Sequence, residues 1–195
     1  MFSILPTLLY AVGSIKSFFL SNNIKVIVYF IGFKALSELI SYCFYIAKLN
    51  HSYFTGAYCA LELLFIIVYF TLNKANKHLF KYYMLVFLIV VSVLCYELMS
   101  NSVFPRYGRT LQCIGVLGIC INHGIKWLKQ DGARTYELII IIALTAYNSI
   151  SWIAFFFAKD IPINYQADVF STVKLANIFC NTALLGALYQ YKTNY

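Results

Sequence analysis

"YCALELLFIIVYF", residues 58–70, is a run of leucines, isoleucines and aromatics that holds one carboxylate, Glu62. A helix on the surface of a soluble protein turns a polar face to water every third or fourth residue. Here only Glu62 and the tyrosine hydroxyls interrupt the apolar surface. Extended in both directions the block covers residues 53–72. That matches the ~20 residues of helix needed to cross a hydrocarbon core of about 30 Å. The stretch therefore reads as a membrane-spanning helix, and its glutamate as a group buried at depth.

The composition agrees. Of 195 residues, 62% are hydrophobic and 11% charged, where a soluble domain carries about 25% charged residues. Too little polar surface exists to wrap a water-soluble globule. Six further blocks punctuate the chain at about 3–20, 24–47, 81–99, 109–128, 136–158 and 168–190. Their connectors, such as "SNNIK", "SNSVFPRYG" and "KDIPINYQA", carry the Asn, Gly, Pro and Asp of turns. The expected fold is all-α, a polytopic transmembrane bundle of seven helices forming one domain over 1–195. Six spans is the alternative, because Pro6, Gly13 and Lys16 interrupt the first block. The N-terminus lacks the basic region and cleavage site of a signal peptide and reads as part of the first helix.

Charge placement predicts the orientation. With the N-terminus outside, nine of the 15 basic residues fall on the cytoplasmic side and four outside, with Lys34 and Lys174 inside helices. The positive-inside rule then puts the C-terminus in the cytoplasm, as expected of a multi-pass protein of the inner membrane. The net charge of +8 is explained by these connectors. No basic run with interleaved aromatics suggests nucleic acid as a partner, so the expected environment is the lipid bilayer. No long extramembrane segment is present, so any activity belongs to the bundle and its short loops.

Depth, taken from the ~1.5 Å rise per helical residue, groups the polar residues. Glu38, Glu62, Asn148 and Asn177 each lie nine or ten residues from the outer end of their block, about 14 Å below the boundary. Lys174 lies about one turn nearer the outside, and Lys34 and Asn181 about one turn deeper. Lys34 and Glu38, four apart, share a helix face and can pair. Ser171, Lys174, Asn177 and Asn181 form a stripe, as do Thr145, Asn148 and Ser151. A charge at mid-bilayer costs about 2.5–3.5 kcal/mol on insertion scales. Two glutamates balanced by two lysines are the least costly set. The expected binding layer is therefore Lys34, Glu38, Glu62, Asn148, Lys174, Asn177 and Asn181, with Arg109 and Gln112 at its outer rim. The bland alternative is that these groups serve as hydrogen-bonding glue between helices.

The six cysteines lie in apolar blocks without CxxC or Cys/His spacing and read as reduced core residues. His51, His78 and His123 read as loop or helix-end residues, so no metal and no cofactor is expected. "NHS" at 50–52 is an outward-facing glycosylation sequon. A lysine on the last helix and a carboxylate on the third raise a retinal Schiff base, but no aspartate lies one turn before Lys174.

"SELISYCFYIAKLN" followed by "YCALELLFIIVYF" resembles a group of small heptahelical membrane proteins common in Bacteroidetes. In that group a Glu-x-x-Ser-Tyr-like second helix precedes a third helix with a Leu-Glu pair. The matching residues are Glu38, Ser41, Tyr42, Leu61 and Glu62. "RYGRTLQ" at 106–112 and Asn181 also fit, whereas Asn177 stands where the group more often has histidine. The resemblance implies a seven-helix bundle, with some members linked to signalling kinases; Lys34 and Lys174 do not carry over from it. The leading expectation is a non-enzymatic sensor or accessory protein acting through a cytosolic or membrane protein partner. An oligomeric channel or pore built from copies of this chain, for instance in bacterial antiviral defence, is the second expectation, and a small transporter the third. No nucleophile–base pair or HExxH motif points to an enzyme.

Overall fold

A computed structural model describes residues 22–47, 52–72, 74–100, 106–129, 134–157 and 162–193. All their regular structure is helical: α1 (Asn22–Ile46), α2 (Ser52–Thr71), α3 (Phe80–Met99), α4 (Arg106–Leu128), α5 (Thr135–Phe156) and α6 (Ile163–Thr193). A 3₁₀ turn, Lys74–Leu79, leads straight into α3. The six later blocks thus appear where the hydropathy pattern puts them, within a few residues. The first block, 3–20, and the sequon at 50–52 fall outside the described residues or at their edge.

Five of these helices, α1 to α5, are long and apolar enough to cross a bilayer. The chain is a multi-pass helical membrane protein. Helix α3 shows why water is excluded as its solvent. Only Tyr83, Val90, Leu94 and Glu97 of α3 are buried, while Tyr82, Leu85, Leu88, Ile89, Tyr96 and Met99 are exposed. A contiguous apolar surface of this kind is unstable in water and comfortable against acyl chains. Helix α6 is different. Its 31 residues rise about 46 Å, well beyond a hydrocarbon core, and its exposed side carries Ser171, Thr172, Lys174 and Thr182.

The chain divides into two compact units, one ending at Gly108 and one beginning at Arg109. In the first, α1 packs on α2 and α2 on α3. The core between them holds Phe30, Ile31, Leu63, Ile66 and Ile67, each almost fully buried. At Gly56 the backbone of α2 comes so close to α3 that an added Cβ would stand 2.9 Å from Leu98 Cδ1. In the second unit α5 and α6 pack along their length, with Ile140, Leu144, Leu184 and Ala187 in the seam. Trp127 Nε1, in the last turn of α4, donates to the carbonyl of Arg134, the residue before α5, at 3.2 Å. Tyr136 and Tyr191 meet edge to face at 5.2 Å where α5 begins and α6 ends.

Candidate functional site

The first unit holds an ion pair between helices. Lys34 on α1 and Glu62 on α2 are 1% and 0% exposed, with Nζ 4.0 Å from Oε1. Their helices bring them together because both lie on the apolar faces that form the core: Lys34 follows Phe30 and Ile31 by one turn, and Glu62 precedes Leu63, Ile66 and Ile67. Aromatic rings surround the pair. The Lys34 ammonium lies 5.4 Å from the Phe30 ring centroid, a favourable cation–π placement. Tyr58, one turn before Glu62, sets its hydroxyl 3.4 Å from Oε1 while its ring stacks on Phe33. Phe65 packs against both Phe30 and Phe33. The carboxylate in the opening stretch is therefore neutralised by a lysine in an aromatic-walled, water-poor site, where charge–charge interaction is strong.

The second unit holds an uncharged polar layer and a buried guanidinium. Arg109 is 4% and Gln112 0% exposed, both turned into the protein. Arg109 Nη1 donates to Gln112 Oε1 at 2.6 Å and Nη2 to the Tyr147 hydroxyl at 2.8 Å. The guanidinium also faces Phe155, 5.4 Å from the ring centroid. Asn148 and Ser151, one turn apart on α5, are both fully buried, and Asn181 on α6 is 6% exposed. Asn148 Nδ2 donates back to the Leu144 carbonyl at 2.8 Å.

Several expected members stand elsewhere. Lys174 is exposed, Ser171 is exposed, and Asn177 and Glu38 are half-buried. On α6 the packed face runs through Val173, Ala176, Cys180 and Leu184; of the stripe, Asn181 lies in it and Ser171 and Lys174 lie off it. Lys174 comes one residue after Val173, so it projects about 100° around the helix from that face. The ion pair joins Lys34 to Glu62 across two helices, whereas spacing alone favoured Glu38, its neighbour on α1. His123 is buried near the end of α4, which closes at Leu128. Four cysteines are buried, but Cys43 and Cys95 are exposed, and all six are free. Among the described residues no cluster of His, Cys, Asp or Glu could hold a metal ion.

One buried carboxylate escaped the sequence reading. Glu97, near the end of α3, accepts the backbone N–H groups of Tyr107 at 2.8 Å and Gly108 at 2.7 Å, one on each oxygen. These are N–H groups of the first turn of α4, which have no acceptor within their own helix, and the negative charge suits the positive end of the helix dipole. Gly108 makes room for it: a Cβ there would overlap the Leu94 side chain and lie 3.1 Å from Glu97 Oε2. The signal available beforehand was a lone glutamate at the end of an apolar block, followed within eleven residues by a glycine at a helix start.

The sequence matches no family model, and neither the curated proteins nor the solved structures contain a match.

Proposed function

We propose that the protein is a non-enzymatic sensor or accessory subunit of the inner membrane that acts through a partner protein, with Lys34–Glu62 as its responsive element. In this reading it spans the membrane seven times, with its N-terminus outside and its C-terminus in the cytoplasm. One observation supports the reading above the rest: an ion pair enclosed between two membrane helices and lined by aromatics. Buried ion pairs contribute little net stability compared with well-packed apolar residues of similar size. A membrane helix keeps ionisable groups at this depth where something uses the charge. A proton, a ligand or a partner that alters the charge balance at Glu62 would change how α1 and α2 hold each other. The resemblance of 37–50 and 58–70 to a group of heptahelical proteins, some of them linked to signalling kinases, supports a partner on the cytoplasmic side.

The test compares Glu62→Gln with the double variant Lys34→Met/Glu62→Leu in cells showing a partner-dependent phenotype. Both should reach the membrane, and both should lose the phenotype. Full activity in the double variant would sink the reading, because the helix pair would then need no charge.

A second reading, an oligomeric pore, draws on the exposed lysine of α6, Lys174. Lys174, Ser171 and Thr172 project outward from a helix packed on α5. Leu175, Ile178 and Phe179 are exposed on the same helix and Thr172 donates to the Asp168 carbonyl, so it is the Lys174 ammonium that calls for water or another copy of the chain in a bilayer. Membrane depolarisation on expression, absent in Lys174→Leu, is the expected result for a pore.

A further inference from the structure

Asn148 Oδ1, Ser151 Oγ and Asn181 Oδ1 are buried, and each lacks a hydrogen-bond partner. Asn148 cannot cure this by turning its amide. Its Nδ2 is held by the Leu144 carbonyl, so the oxygen is the end that points away from its own helix. An unpaired polar group in a dry interior is costly, and three in one unit point to something that fills their valences.

The helix register brings the three within about two helical turns of one another. Gly124 of α4 lies against Ile141 of α5, and Thr145 of α5 meets Cys120 of α4, which also neighbours Cys180 of α6. Each antiparallel step carries this on. One turn past Thr145, Asn148 stands opposite residues 116–117 of α4 and 177–181 of α6, and Ser151 follows on the same face of α5. Asn181 falls within that span of α6.

We infer that this layer of the second unit binds a small uncharged molecule bearing at least two O–H or N–H donors. The chemistry of the open valences decides the class. Amide oxygens accept hydrogen bonds and never donate, so the Asn148 oxygen, fixed in place by the Leu144 bond, repels an anion. The layer itself contains no carboxylate to neutralise a cation, and the Arg109 guanidinium bonds Tyr147, the residue beside Asn148. A polyol, a primary amide or a urea-like molecule satisfies two acceptors and the Ser151 hydroxyl together. The site deepens the sensor reading by giving it a ligand class, and any signalling consequence rests on that reading. Binding itself is measured apart from it, on purified protein.

The experiment follows the thermal midpoint of the full chain in detergent by tryptophan fluorescence, titrating acetamide and glycerol over the millimolar range, with sodium acetate and ammonium chloride as charged controls. The uncharged donors should raise the midpoint saturably by a few degrees. Asn148→Leu should abolish the saturable part, and Ser151→Ala, which keeps the helix packing, should weaken the apparent affinity several-fold. No saturable shift in the wild type means that water alone fills the layer and overturns the inference. So does an equal shift in Asn148→Leu, or a larger one with acetate than with acetamide. A Glu62→Gln protein that binds normally but fails in cells separates this site from the sensor reading.

Discussion

Removing one partner of the Lys34–Glu62 pair leaves the other charge buried among Phe30, Phe33 and Phe65. Lys34→Met alone should destabilise the protein by about 3–5 kcal/mol, the usual cost of an uncompensated buried charge. Adding Glu62→Leu should restore most of that loss, and a double-mutant cycle on thermal unfolding in detergent measures it. Glu97 makes a different kind of demand. It is held by backbone N–H groups, so no single side-chain change on α4 removes its partners. Glu97→Ala should cost about 1–3 kcal/mol by leaving those N–H groups unsatisfied. Gly108→Ala should cost about the same through overpacking against Leu94; a Leu94→Ala background, which opens the space, should recover part of it. The buried carboxylate at Glu62 was legible because it breaks an apolar run. Glu97 was harder to see, because its partners are backbone N–H groups and the glycine that admits them, Gly108, is the one mark they leave in the residue types.

At the scale of elements, hydropathy located six helices but not the rotation of each about its axis. In a membrane the lipid-facing and core-facing sides are both apolar, so the alternation that orients a helix in a soluble protein is nearly absent. That is why Lys34 and Glu62 could be put at similar depth but not paired, and why Lys174 was drawn into a layer that α6 turns it away from. The exposed cysteines give a direct readout of rotation. Cys95 on α3 and Cys43 on α1 are exposed, whereas Cys59, Cys113, Cys120 and Cys180 are buried. A membrane-soluble maleimide should label the first two rapidly in native membranes and the other four only after denaturation. Equal labelling of Cys59 and Cys95 would mean that α2 does not pack as described.

For the molecule as a whole, the sequence carried the class of protein and the order of its spans; it was read as one domain, with no sign of two compact units. That division falls at Gly108 and Arg109, inside the first turn of α4 and not at a connector, so composition gives no hint of it. The ion pair in the first unit also bears on how the chain is made. Lys34 leaves the ribosome 28 residues ahead of Glu62. Helix α1 released into lipid without α2 would carry the Lys34 ammonium at depth without its Glu62 partner, at about 2.5–3.5 kcal/mol. The chain escapes that state if the insertion machinery holds α1 until α2 arrives and delivers the two as a hairpin. A nascent chain truncated at residue 50 should accordingly insert poorly, one truncated at residue 74 should insert well, and Lys34→Leu should rescue the shorter one. The order of synthesis thus makes Glu62 the residue that completes the entry of the helix before it.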